Sequence, residues 1–495
     1  MFRILYASTL ALALLATIGC GSDADVTESS LYNVPASAAM VSAIDLEELS
    51  EEINLQDVLG GMSGGSTDWM ASKWQAIAAD FKGSGIALTS EMYNFVDVNP
   101  KNQNDMLAAS SISLADASAF GKAVSTGEQV VKVDGVNIIL DGESFVAWND
   151  KSALLGVATR SNPTERIAAL FKQDKTTSVA SNSDLMKAIG NDHDFSAWVN
   201  FEPFVANMPP NAAMGLGMAG FSVDDLADNT IHTFGDVEGD ELTMESRYFV
   251  NSNLKREFDL LFHQEVETDF REYLPGENLQ SLMLVSFDFK GTRELLKQRN
   301  FEAFVNGYLS SYGVTVEKIA QALQGDMALA YVKEGEALVG VFAAKVDPDA
   351  IQEFIAAGIN YQMIAPAGNN RYNITGAAGS LSGGAGTPGV LLHEGMLFMS
   401  NSSAMLDRIA DGGFGSDAVD DDLYDSMKNN IFSLKLNTNE LSSPIGNTSD
   451  LDFEELTIQV GRERSKLKIK SDNDQLLKSL LETVQKGGLP TGINL

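Results

Sequence analysis

The chain has 495 residues, with 34 Lys and Arg against 68 Asp and Glu, one Cys, four His and a net charge of −34. A 44% apolar share suits a globular chain and excludes disorder, while the acidity excludes nucleic acid and anionic membrane as broad-surface partners. A single Cys excludes an internal disulfide framework and any Cys-based zinc or iron–sulfur site. No motif points to another metal or a cofactor, and none is expected, although distant residues could still converge on a metal.

Residues 1–19 read as a secretory leader. Arg3 precedes an apolar run from Ile4 to Ile18 that is short and early for a membrane span. The ending Ala16-Thr17-Ile18-Gly19-Cys20 resembles a bacterial lipobox, with Thr17 where Leu is usual. That resemblance implies cleavage before Cys20 and acylation of that residue, and hence a body held to a membrane by lipid. Residues 20–30 are polar and aperiodic and read as a flexible acidic tether. Gly21 resembles outer-membrane sorting in Gram-negative lipoproteins, and the acidic tether resembles the export signal of surface-exposed ones.

The body reads as two tandem, divergent copies of one module, residues 31–270 and 271–495. Paired anchors recur in one order. Tyr32-Asn33-Val34-Pro35 matches Tyr273-Leu274-Pro275, Ile44-Asp45-Leu46 matches Phe287-Asp288-Phe289, and Ala87-Leu88 matches Ala328-Leu329. Asp116 matches Asp347, Asn149 matches Asn401, and Met186-Lys187 matches Met427-Lys428. Phe195-Ser196 matches Phe432-Ser433, and Glu241-Leu242-Thr243 matches Glu455-Leu456-Thr457. The first module carries most of the acidity, −22 against −10 for the second.

Met70, Trp74, Ile77 and Phe81 share one helical face, as do Val316, Ile319, Ala320 and Leu323. Asp347-Pro348 marks a helix start whose buried face is Ile351, Phe354 and Ile355. Strands are predicted at 136–140, 144–148, 337–346 and 396–400. Neighbouring short strands with interspersed helices predict an α+β fold with largely antiparallel sheet. The first module carries an extra stretch with Met208-Pro209-Pro210, Met214, Met218 and Phe221, and the second a Gly-rich loop from Gly376 to Gly389.

Motif matches mostly dissolve on inspection. Gly61-Met62-Ser63-Gly64-Gly65 fits G-x-S-x-G, but a nucleophile elbow needs a strand entering and a helix leaving, and its surroundings read as linker. Gly384 to Gly389 fits G-x-G-x-x-G, but strand patterns follow where a dinucleotide site needs a helix. His193, His232, His263 and His393 show no metal-ligand spacing. Asp417, Asp420, Asp421, Asp422 and Asp425 lack the Gly and Glu of a calcium loop and read as a solvated helix start. Met214 and Met218 read as packing rather than as copper ligands.

Arg462, Arg464, Lys466, Lys468 and Lys470 alternate over nine residues, which places them on one face of a strand with Leu467 and Ile469 toward the core. Such a face suits an anionic glycan, a lipid head group or the acidic partner module. It also suits a plain solvated face, or an edge strand whose lysines discourage pairing.

The run Leu31-Tyr32-Asn33-Val34-Pro35-Ala36-Ser37-Ala38-Ala39-Met40-Val41-Ser42-Ala43-Ile44-Asp45-Leu46 resembles uncharacterised lipoprotein families of Gram-negative envelopes, domains of unknown function. The resemblance covers about the first thirty residues of the body. It implies an envelope location and no catalytic residues. The expected function is a non-catalytic binding or scaffolding module that meets an anionic glycan, lipid head group or envelope protein. The alternative is an envelope hydrolase with a site assembled from distant Asp, Glu, His or Ser.

Overall fold

A computed structural model describes residues 28–46, 68–99, 105–159, 163–189, 193–206, 223–375, 387–437 and 453–471. The leader, Cys20, the Gly61–Gly65 match, the Met208–Phe221 stretch and most of the Gly376–Gly389 loop lie outside these residues.

Strands β1 (Ala38–Asp45), β2 (Glu91–Val98), β3 (Met106–Ser113), β4 (Val131–Val133), β5 (Val136–Asp141), β6 (Ser144–Trp148), β7 (Ser152–Ala158), β8 (Phe195–Asn200), β9 (Thr230–Glu238) and β10 (Glu241–Phe249) make the first half. The second half contains β11 (Leu279–Ser286), β12 (Leu323–Glu334), β13 (Ala337–Val346), β14 (Ile364–Gly368), β15 (Arg371–Ile374), β16 (Gly389–His393), β17 (Met396–Ser400), β18 (Phe432–Asn437), β19 (Phe453–Val460) and β20 (Arg464–Ser471). Every pairing between them is antiparallel.

In space the first half runs β4-β5-β6-β7-β3-β2-β1-β8-β9-β10. The second runs β14-β15-β16-β17-β13-β12-β11-β18-β19-β20, the same order with each number raised by ten. The two meet where β10 pairs with β20, giving one sheet of 20 strands among the described residues. Open twisted sheets rarely exceed about ten strands, so each half is already a sheet of full ordinary width.

Local chemistry repeats with the wiring. Val179 N–H donates to Val34 O at 3.0 Å beside a bridge between Pro35 and Ser178, and Val419 N–H donates to Leu274 O at 3.0 Å beside a bridge between Pro275 and Ala418. Asp116 accepts from the N–H groups of Ser118 and Ala119, and Asp347 from those of Asp349 and Ala350, so each caps the helix after its strand.

Three expected matches fall at different places in the wiring. Glu241-Leu242-Thr243 lies on β10 but Glu455-Leu456-Thr457 on β19, one strand out of step. Asn149 follows β6 and leads into β7, whereas Asn401 follows β17 and leads into a helix. Ala87-Leu88 precedes β2, whereas Ala328-Leu329 lies inside β12. These short apolar or Asn-bearing matches recur on neighbouring elements, so composition alone misaligns them.

The four predicted strands form as β5, β6, β13 and β17. On one face of the first half, Ile44, Met92, Ile112, Trp148 and Phe195 pack beneath the helices Asp68–Ala79 and Ala117–Val124 through Met70, Trp74, Ile77 and Phe120. On the other face, Val41, Phe95, Ile138 and Leu154 pack against the helices Thr164–Leu170 and Ser183–Ile189. The second half buries Leu282, Leu284, Val341 and Phe398 against the helices Ser403–Ala410 and Asp421–Lys428. Val266 and Phe270, from the end of the expected first module, are buried in that second core.

The expected tether also stops early. Glu28 to Tyr32 form a short helix, and buried Ser30 accepts a 2.7 Å hydrogen bond at its carbonyl from Ser111 Oγ.

Candidate functional site

The basic strip lies at the seam of the sheet. β20 pairs with β10 on one side and β19 on the other, which corrects the edge-strand expectation: its lysines line an interior strand. Across the seam Lys470 faces Glu241, Lys468 faces Thr243, Lys466 faces Glu245 and Arg464 faces Arg247. Leu467 and Ile469 turn the other way and join the first half's core with Leu242 and Met244, as the alternation predicts.

Arg462 departs from the expected strand face. It precedes β20 in the turn, where it pairs with Asp259 at 2.7 Å and donates to Phe262 O at 3.2 Å.

Much of the strip's charge is neutralised within the chain. Lys468 pairs with Glu241 at 2.7 Å and Lys470 with Glu454 at 2.8 Å. Glu454 holds the Lys470 ammonium above its ordinary pKa. Arg464 and Lys466 are exposed and make no ion pair among the described residues. They are the uncommitted part of the strip.

The histidines do not converge. His193 Nδ1 lies 3.0 Å from Asp236, and the ring stacks on Phe234. That pair has the form of an oriented base, but no Ser, Thr or Cys among the described residues hydrogen-bonds the imidazole. His232 packs on Phe249, and burial holds its pKa below the ordinary value. His263 lies against Gly325, and His393 against Tyr273. The acidic cluster resolves into a helix start: Asp420 accepts from Leu423 N–H, and Asp417, Asp421 and Asp425 pair with Arg408, Arg271 and Lys428.

A second place was not visible in the sequence. An open cleft of about 720 Å³ sits at the corner of the first half between the helix Ala117–Val124, the β4–β5 turn and the end of β6. Lys122 and Lys132 flank it, and Trp148 forms its inner wall. The indole edge lies 3.2 Å from where a side chain on Gly121 would begin. No spacing rule joins these residues. The one sequence signal is a Gly beside a Lys on an amphipathic helix, and it is weak.

The fold is α+β, and the chain belongs to a family described only as a domain of unknown function (DUF4836), whose model matches residues 32–333. Among solved structures it is similar to two crystal forms of TP0453. Form I has 11% identity and a TM-score of 0.30, covering 50% of this chain and 91% of that one. Form III has 12% identity and a TM-score of 0.28, covering 48% and 89%. No curated protein matches the chain.

Proposed function

We propose that this is a lipid-anchored, non-catalytic binding and scaffolding protein of the cell envelope, built as two tandem copies of one α+β unit that act as a single platform. The observation that carries this reading is the β10–β20 seam, where a seven-residue register from Glu241–Lys470 to Arg247–Arg464 continues the backbone ladder across both halves. Two units joined this way hold their faces at a fixed spacing, which is what a scaffold requires. The tandem origin is supported by the recurring strand order.

The anchor is Cys20, which follows a leader at 1–19 and precedes the short link to the helix Glu28–Tyr32. No helix among the described residues is long and apolar enough to cross a membrane. Attachment to the outer membrane is assigned to acyl chains on Cys20, each buried CH₂ contributing about 0.8 kcal/mol. Arg464 and Lys466 are left to meet an anionic glycan, lipid head group or envelope protein.

Growth with a fatty-acid probe tests the anchor. The wild-type chain should take label and fractionate with outer membrane, and Cys20→Ser should lose both. Label that persists in Cys20→Ser, or a wild-type chain without label, overturns the assignment. For the strip, Arg464→Gln with Lys466→Gln should weaken retention on anionic glycan or lipid arrays, and unchanged retention removes that contact.

A further inference from the structure

We propose that the corner cleft of the first half binds an oxyanion carried on a polyhydroxylated ring, a sugar acid or sugar phosphate, between Lys122, Lys132 and the indole N–H of Trp148. This site is separate from the lipid anchor and from the central strip.

The charge pattern is the first support. Acids outnumber bases two to one in this chain, and Lys73, Lys172, Lys255, Lys318, Lys428, Lys435, Lys468 and Lys470 all pair with a carboxylate. Lys122 and Lys132 line the cleft from two different elements and have no carboxylate partner among the described residues. Two uncommitted ammonium groups across one cleft suit an oxyanion, to which each gives charge-assisted hydrogen bonds.

Trp148 supplies the second. It is only 5% exposed as a residue and lines the cleft, and its Nε1–H, which stays open to solvent, has no acceptor among the described residues. An indole N–H can only donate, so it offers one donor to an oxygen held in the cleft. A ligand oxygen would satisfy it. The absence of a side chain at Gly121 keeps the indole edge open, because a Cβ there would stand 3.2 Å from Nε1.

The remaining lining favours a ring with hydroxyls over a bare ion or an alkyl phosphate. Ser118, Ser125 and Asn137 offer hydroxyl and amide groups, and exposed Asp150 can accept from a hydroxyl. Asn149 Oδ1 is occupied by the N–H groups of Lys151 at 2.8 Å and Ser152 at 2.9 Å, so its amide NH₂ is the group left for a ligand. A volume of about 720 Å³ is room for a ring.

Titration calorimetry on the full chain in detergent tests this with glucuronate, glucose 6-phosphate, glucose and inorganic phosphate. At least one of the two sugar anions should bind saturably, and the tighter of them identifies the source of the oxyanion. Glucose should bind at least about tenfold more weakly. Lys122→Gln with Lys132→Gln should weaken the sugar anion by about tenfold or more, and Trp148→Phe by about fivefold. The two lysines are exposed, so their double variant keeps the test valid even where Trp148→Phe fails to fold. Absence of saturable binding by both sugar anions, or undiminished binding by the lysine variant, overturns the site. Inorganic phosphate binding as tightly as the sugar anion overturns the saccharide assignment.

Discussion

The same corner of the two halves has the same wiring and opposite chemistry. In the first half, the helix Ala117–Val124 meets β6 with Gly121 against Trp148, leaving a cleft edged by lysines. In the second, the helix Ala350–Asn360 meets β16 and β17 through Ile351, Phe354, Leu392 and Leu397, an apolar filling. The helix above the corner differs too. Asp68–Ala79 carries buried Lys73, only 1% exposed and paired with Glu128, whereas Val316–Ala322 buries Val316, Ala320 and Ala322. Strand order is held by backbone bonds and by two-residue alternation, both of which tolerate such exchanges. Repeated wiring therefore leaves the side-chain layer free to diverge, and that layer is where function is to be sought.

The largest expected effect comes from breaking what only the first half has. Glu128→Gln leaves the Lys73 ammonium buried without its carboxylate and should cost about 3 kcal/mol in denaturant unfolding. Adding Lys73→Met should recover much of the loss; no recovery would mean that the charge is not the cause. Lys73 holds the Glu128 carboxyl down at about 2, from an ordinary value of 4.5. Because the folded pKa is depressed, this stability is complete above about pH 4.5 and is lost as pH falls toward 2. Wild-type stability should fall through that window, and Glu128→Gln should remove that part of the decline.

A smaller effect should follow from loosening the contact between the halves. Arg299 binds two buried carboxylates, Glu257 and Asp225, the latter at 3.0 Å, and so ties the helix Ser252–Leu261 to the end of Phe289–Gln298. Arg299→Ala should cost roughly 2–3 kcal/mol, tempered by the partial exposure of the guanidinium. Calorimetry should then show the unfolding peak broadened or split, and an unchanged single peak would count against the tie. Least costly is the half-exposed Lys468–Glu241 pair at the seam: Lys468→Gln should cost under about 1 kcal/mol in thermal melts.

Much of the architecture was legible because its signals are local. β5, β6, β13 and β17 were visible as short apolar runs between turns, and the buried stripe Met70, Trp74 and Ile77 was visible at helical spacing. The alternation on β20 gave its two faces correctly. Its neighbours could not be read, because the partner β10 lies more than two hundred residues away and its Glu241 and Glu245 look like any solvated acids. The Trp148 cleft was illegible for a related reason. Gly121, Lys132 and Trp148 come together through pairings β4–β5 and β5–β6 and a helix packed over them, and no fixed spacing encodes that meeting.

The joining of β10 to β20 also decides how the protein behaves among copies of itself. Ten-stranded halves standing alone would each offer an open backbone ladder at β10 or β20 for another chain to extend. Fused, those ladders satisfy each other, and among the described residues the sheet ends at β4 and β14. β4 is three residues long and carries Lys132, and β14 contains Pro366, which has no N–H to donate. Growth by strand addition is therefore disfavoured at both of these edges.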